Sequence, residues 1–410
     1  MSPCAWHARV TAATIPAIVS IEVAMVSQPS IDFVARARSL APLVREHADE
    51  AERLRHLPAP VAQAMAAAGL YRIAAPRRSG GAEADPMRQI EVIEAVANAD
   101  GSTGWNLMIG IESFGLIAPA FETCAELLAD PMTVLCGSTA AVCIADEIPG
   151  GFRVNGQWQF VSGCHNAQVF TGLVQRRRNG VPIDGLPPVY AVATLPDWQI
   201  VDTWNVGGLC GSGSHDVRIT NLDVPNERML VRMGTIRGDT PLERIPLGTR
   251  LAYNKVAVAL GIARHAIDAF IDIATGKIPR FTSRTLRDRP FAQRAVARAE
   301  VRLRSARSLV FELTEALWAK VTERERVTPY DRAMYQIACS DAVSGAFEAV
   351  DAVAEAAGTT ANDRASPLER LTRDIRVIRQ HVTVAPHHIE DGGRVLLGLE
   401  PEGAMLKGFG

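Results

Sequence analysis

The sequence predicts an α+β chain in three successive parts: an N-terminal helical domain, a small central β-barrel or sandwich, and a C-terminal four-helix bundle. Three changes of texture carry the prediction. Apolar residues recur at helical spacing over residues 31–130, alternate at strand spacing from about 131 to 232, and return to helical spacing in long runs after Pro246. The boundaries drawn from them are 28–130, 131–240 and 241–410, with residues 1–27 as a start extension, globular sequence starting after Met25 and translation expected to begin there.

In the first part, Phe33, Val34, Ala37, Leu40, Ala41 and Val44 line one face of a helix over Ile31–His47. Leu57-Pro58 opens the next helix and Gly69 closes it, since the left-handed end of a helix favours glycine. Pro86–Ala99 and Thr103–Leu128 continue the pattern. The middle part has short apolar runs at Phe152–Val154, Trp158–Val161, Val189–Val192 and Val217–Ile219. Turn signals separate them at Pro149–Gly151, Asn155-Gly156, Asn179-Gly180 and Gly211–Ser214, and Asn-Gly between two such runs is a strong hairpin signal. The last part holds four long amphipathic runs, Leu251–Thr275, Phe291–Glu323, Pro329–Ala357 and Leu368–Leu399. Helices of that length suit a bundle that packs against copies of itself.

Composition sets limits on function. Of 410 residues, 48% are hydrophobic and 21% charged, and the formal net charge is -2, so no basic surface for nucleic acid is indicated. The seven cysteines show neither CxxC spacing nor a dense disulfide pattern, which fits buried thiols in a reducing cytoplasm. Thr11–Ile21 is apolar but too short for a membrane span, which takes about 20 residues. It reads as part of an over-extended start, with a targeting segment as the alternative. Neither GxGxxG after a strand nor a Walker motif is present, so no NAD(P)H site is visible.

Five segments, in order, carry a family resemblance: Leu57-Pro58 with Ala68–Leu70, Pro76 and Gly80-Gly81; Asp100–Trp105; Gly156–Gly163; Trp204–Ser214; and Pro367–Arg370 with Arg373-Asp374, Gln380-His381 and Gly393–Gly398. Over roughly residues 30–400 the chain resembles the acyl-CoA dehydrogenase superfamily. Within it, the chain looks like the oxygenase components of two-component (class D) flavin-dependent monooxygenases, such as the hydroxyphenylacetate and secosteroid-phenol hydroxylases. Ser212 stands where that pattern commonly has Thr, and Ile378–Thr383 replaces the glutamate-bearing stretch of true dehydrogenases.

The resemblance implies reduced FMN or FAD supplied by a separate flavin reductase, with O2 and a small aromatic or polycyclic molecule as co-substrates. It implies hydroxylation through a C4a-hydroperoxyflavin, no metal, and a homotetramer. Such chemistry needs a dry pocket, a hydrogen bond near flavin N5 and a titratable group near the distal oxygen. Ser162 fits the N5 position, and Trp158 and Phe160, at strand spacing from it, are expected to wall the ring. Ser138 joins them as a cofactor contact. His381 is the expected catalytic group, because imidazole titrates near neutrality. His165 is the reserve base. Asp374, seven residues before His381, is expected to pair with Arg370 rather than to orient the imidazole.

Arg280 and Arg284 resemble residues that reach a flavin phosphate across a subunit boundary, with a solvated loop as the alternative. Gly358 and Thr359 resemble a loop that approaches flavin in the same way. Trp105, Met108 and Phe114 either line an apolar substrate pocket or form a core stripe. His387 and Asp391 are one turn apart, but without a third ligand they read as a solvated or subunit-contact face rather than a metal site. Competing readings are an acyl-CoA dehydrogenase-type FAD flavoprotein, an N- or S-oxygenase of the same fold, and a helical scaffold without catalysis.

Overall fold

The helical first part consists of five helices in the computed structural model, which describes residues 32–231, 233 and 238–408. They are α1 (Phe33–Ser39), α2 (Ala41–Leu54), α3 (Ala59–Ala67), α4 (Pro86–Ala97) and α5 (Gly101–Leu116). The expected single helix over Ile31–His47 breaks at Leu40, because Pro42 lacks an N–H and is suited to the first turn of a new helix. Gly69 turns the chain after α3 with φ +73. Asp100 caps α5, its carboxylate accepting from the Thr103 N–H at 2.7 Å and the Thr103 hydroxyl at 2.8 Å. The run read as Thr103–Leu128 breaks after Leu116 and bends by 102° into a 3₁₀ stretch, Ala118–Leu128, with Pro119 at its start. The start extension lies outside the described residues.

The central strands are β1 (Leu135–Ile148), β2 (Gly151–Val161), β3 (Val169–Arg178), β4 (Val181–Pro182), β5 (Val189–Thr194), β6 (Gln199–Val201), β7 (His215–Pro225) and β8 (Met229–Leu230). They form one mixed sheet in the order β6-β7-β2-β1-β3-β5-β8, with β4 paired to β3. Gly150 and Asn179-Gly180 turn their hairpins with positive φ. Asn155-Gly156 does not make a hairpin. It lies inside β2 at a shift of register against β7, and Gly156 is there because a Cβ would collide with the Cys143 side chain of β1.

The C-terminal part contains α6 (Pro241–Arg244), α7 (Leu247–Gly276), α8 (Pro290–Thr322), α9 (Pro329–Ala357), α10 (Pro367–Arg379), α11 (His387–Leu396) and α12 (Ala404–Lys407). The long helix α7 is buried on most sides, packing on α4, α5, α9 and α10. The helix expected over Leu368–Leu399 is interrupted between Arg379 and His387. Val382-Thr383-Val384 is β-branched and Pro386 disfavours helix in the residue before it, so α10 stops and His381 sits in the turn rather than in a helix. Among the described residues no single helix is long and apolar enough to cross a membrane.

Candidate active site

The end of β2 sets the first part of the site. Its register against β7 shifts between Trp158 and Val161, and Phe160 adopts φ +58. Trp158 and Phe160 therefore do not share a face as strand spacing predicts. Trp158 is fully buried in the sheet core, its indole N–H donating to the Leu173 carbonyl at 2.9 Å and its ring edge-on to Phe170. It has no surface to offer a cofactor. Phe160 is 62% exposed and stands edge-on to Trp204, with ring centroids 6.4 Å apart.

Two residues further on, Ser162 is buried and central to a row of polar side chains. Its Oγ accepts from the Trp105 indole N–H at 3.1 Å and lies 2.7 Å from Ser214 Oγ, which in turn lies 2.8 Å from Ser212 Oγ. A serine hydroxyl has one donor and two acceptor positions. With Trp105 filling one lone pair, Ser162 faces a ligand as an acceptor when it donates to Ser214, and as a donor when Ser214 donates to it. A turn of the row's hydroxyls thus changes what Ser162 presents. Glycine alternates with these serines for steric reasons, since a Cβ at Gly211 would crowd Ala51 and Ser102 and one at Gly213 would crowd His56.

The loop before this row is held by α10. Asp374 Oδ1 accepts the Leu209 N–H at 2.6 Å, and Gly208 lies so close to the Arg373 carbonyl that a Cβ would collide with it. The expected Asp374–Arg370 pair is replaced by this contact, and the ion pair of Arg370 is with Asp49. Burial, and then the nearby Asp100 charge, push the Asp374 carboxyl up to about 7.

His381 completes the cluster. Its ring is edge-on to Trp105 with centroids 5.2 Å apart. Nδ1 lies 2.9 Å from the Thr383 hydroxyl and 3.4 Å from the Thr383 N–H, a fixed donor, so the network assigns the ring hydrogen to Nε2. Burial, then the charge of Lys255, lower its pKa to about 3. The expectation of a group titrating near neutrality is therefore overturned, and His381 is a neutral imidazole that offers an N–H. Lys255 itself is buried in an ion pair with Glu112 of α5.

Trp105, Ser162 and His381 are thus brought together. Other expected residues are not. Met108 and Phe114 are fully buried in the core, with the Arg72 guanidinium over the Phe114 ring, so the core-stripe reading holds for both. The Ser138 hydroxyl is used internally, donating to the Gln159 carbonyl at 2.6 Å and accepting from the Ala140 N–H at 3.1 Å. His165 stacks on His56 at 4.0 Å and meets His215 edge-on, a packed trio in which burial lowers the His165 pKa to about 4. Arg280 and Arg284 are exposed on the loop after α7, and Gly358-Thr359 are exposed after α9. Lys277 ties the two loops by donating to the Ala357 carbonyl and the Thr360 hydroxyl, each at 2.7 Å. Asp391 accepts from the Glu402 and Gly403 N–H groups, and among the described residues no His, Cys, Asp or Glu group is placed to hold a metal.

Comparison with known proteins bears on the fold and the family. Residues 32–120 match the acyl-CoA dehydrogenase N-terminal domain and residues 253–386 match an acyl-CoA dehydrogenase C-terminal domain. An indole-3-acetate monooxygenase of Pseudomonas putida is 34% identical over 87% of this chain and 91% of that protein. The oxygenase component of an FADH(2)-dependent resorcinol hydroxylase of Rhizobium sp. is 27% identical over 92% of this chain and 97% of its own. Among solved structures, a 3-HSA hydroxylase from Rhodococcus sp. superposes with a TM-score of 0.80 at 27% identity, covering 92% of this chain and 100% of the other.

Proposed function

This chain belongs to the acyl-CoA dehydrogenase family, among its flavin-dependent monooxygenases, and we propose that the cluster of Trp105, Ser162 and His381 is where it hydroxylates an aromatic small molecule. The observation that carries the reading is the Ser162 hydroxyl, fixed by Trp105 and poised by Ser214 to donate or accept. Flavin N5 gains and loses a hydrogen between its redox states, and a hydroxyl that can reverse its role suits it. Bound reduced flavin, FMN or FAD, would supply the electrons that activate O2. The exposed Phe160 ring offers the flat apolar wall, and Trp204 closes its edge. Neutral His381 supplies Nε2–H as a donor beside Trp105, while Thr383 holds the other nitrogen. The nearest buried carboxylate on α5, Glu112, is neutralised by Lys255, so it is not a free base of the kind a dehydrogenase requires.

A separate reductase delivers the reduced flavin in this reading, consistent with the relatives named as oxygenase components. The chain works without a metal, in the cytoplasm, as a homotetramer. Exposed Phe281 and Ile278 on the loop after α7, with Val301 on α8, favour subunit contact there. Arg280, Arg284, Gly358 and Thr359 then reach the flavin of a neighbouring subunit. The test is to load the protein anaerobically with reduced FMN or FAD, add O2 with a panel of phenols and aromatic acids, and divide hydroxylated product by O2 consumed. Product from one or more panel members supports the reading. Stoichiometric hydrogen peroxide with all of them, together with bleaching of bound FAD by acyl-CoA, overturns it.

A further inference from the structure

The turn that bears His381, between α10 and α11, is held from outside by two helices. Its own backbone closes tightly: the His381 N–H donates to the Ile378 carbonyl and the Val384 N–H to the His381 carbonyl, each at 3.0 Å. The carbonyls of Val382 and Thr383 are left without a backbone partner among the described residues. Backbone carbonyls in a packed interior need a donor, and here side chains supply it. His388 of α11 donates Nε2–H to the Val382 carbonyl at 2.6 Å, and the Gln336 amide of α9 donates to the Thr383 carbonyl at 2.7 Å. Both side chains are buried.

These two bonds reach His381 through the peptide planes on either side of Thr383. The Val382 carbonyl and the Thr383 N–H belong to one planar trans peptide and point in opposite directions. His388 grips one edge of that plane, while the N–H on the other edge lies 3.4 Å from Nδ1 of His381. Gln336 fixes the following plane, and the Thr383 hydroxyl between the two lies 2.9 Å from the same Nδ1. Which nitrogen of an imidazole carries the hydrogen is set by the bond the other one makes. A rotation of either plane therefore releases Nδ1 and lets the hydrogen leave Nε2.

The frame behind the turn is rigid. Gly392 of α11 lies so close to α9 that a Cβ would collide with Ile337, the neighbour of Gln336 in sequence. A carbonyl only accepts, so the hydrogen of His388 is on Nε2. Its Nδ1 is buried without a hydrogen-bond partner among the described residues, and burial lowers the pKa, so the ring is neutral and has this one hydrogen to give.

We propose that His388 and Gln336 are positioning residues for His381, which set the two peptide planes flanking Thr383 and so keep the His381 hydrogen on Nε2, available to the site. The effect on catalysis rests on the oxygenase reading; the control of the tautomer does not.

Side-chain 15N–1H correlation spectra of the full-length protein, labelled on histidine, read the tautomer without turnover. The His381 signals are those missing from His381→Gln. Wild type shows the neutral Nε2–H pattern from about pH 5 to 8. In His388→Leu and in Gln336→Met the Nδ1–H form gains population, and product per O2 falls roughly two- to tenfold while the dissociation constant for reduced flavin is unchanged. His388→Gln, whose amide can donate to the same carbonyl, keeps the wild-type pattern and most of the coupling. An Nδ1–H or charged His381 in wild type overturns the proposal, whether or not any variant folds. A wild-type pattern in both His388→Leu and Gln336→Met overturns it too, as does a His388→Gln variant as impaired as His388→Leu. A shifted tautomer in the variants of a protein that makes only hydrogen peroxide would leave the positioning standing and refute the oxygenase reading. Coupled hydroxylation by wild type, with the tautomer unmoved in the variants, would do the reverse.

Discussion

Removing the Ser162 hydroxyl by Ser162→Ala tests the site at its centre. The substitution leaves the buried Trp105 indole N–H without its acceptor and takes one partner from Ser214. Leaving one buried donor unsatisfied costs about 1–3 kcal/mol, so the urea midpoint should fall by that amount divided by the unfolding slope. The functional loss is separate. A hydrogen bond to the ligand contributes roughly 0.5–1.5 kcal/mol net, which at about 1.4 kcal/mol per tenfold in rate shifts the partition between product and peroxide two- to tenfold. The assay pairs an oxygen electrode with peroxide titration and chromatographic product analysis, on enzyme loaded with reduced flavin. Ser162→Thr, which keeps the hydroxyl, should retain more coupling than Ser162→Ala, and Ser214→Ala should fall between wild type and Ser162→Ala. Wild-type coupling in Ser162→Ala would refute the role assigned to the row, whatever happened to stability.

Because His381 is held neutral with a pKa lowered to about 3, its variant His381→Gln should lower coupling without removing any inflection between pH 6 and 8. Loss of such an inflection would show that His381 titrates there and would contradict the burial argument. Asp374 works in the opposite sense: its folded pKa, about 7, lies above the ordinary carboxylate value. The stability it contributes is complete below about pH 4 and is lost as pH rises to about 7, a ceiling of roughly 4 kcal/mol at 1.36 kcal/mol per pH unit. Wild type should therefore lose stability relative to Asp374→Asn between pH 4 and 7, and parallel urea curves over that range would count against it. Exchanging Arg280 and Arg284 together for Ala should weaken flavin binding roughly 100- to 10,000-fold, as expected for two charge-assisted hydrogen bonds of about 1.5–3 kcal/mol each. An unchanged dissociation constant by ultrafiltration would return both residues to a solvated loop.

The fold class was legible because periodicity reports burial directly. The runs of the first and last parts are one-sided helices, and Asp100 and Gly69 act at their ends as local chemistry dictates. What escaped was tertiary. Asn155-Gly156 carries a hairpin signature, but the demand for a glycine came from Cys143 on a neighbouring strand. Trp158 and Phe160 are two apart in sequence, and a backbone twist at Phe160 sends them to different environments. Ser162 and His381 were singled out by the motifs around them, and the structure brings both to Trp105. The Ser212–Ser214 partnership was visible only as a turn signal, although two hydroxyls alternating with glycine are themselves an available clue. Arg250 gave no signal at all, since a lone arginine in an apolar helix resembles any snorkelling surface cation until its burial is seen.

The grip of α10 on the loop before the serine row has a consequence for the order in which the protein is made. Asp374 meets Leu209 across 165 residues of sequence, so the loop leading into the serine row leaves the ribosome long before the residue that fixes it. The helical first part and the sheet can each organise as they emerge, as local units generally do. The site between them stays unfinished until α10 has been synthesised, so chains cut short before Arg373 carry every residue of the serine row and lack the clasp that sets it.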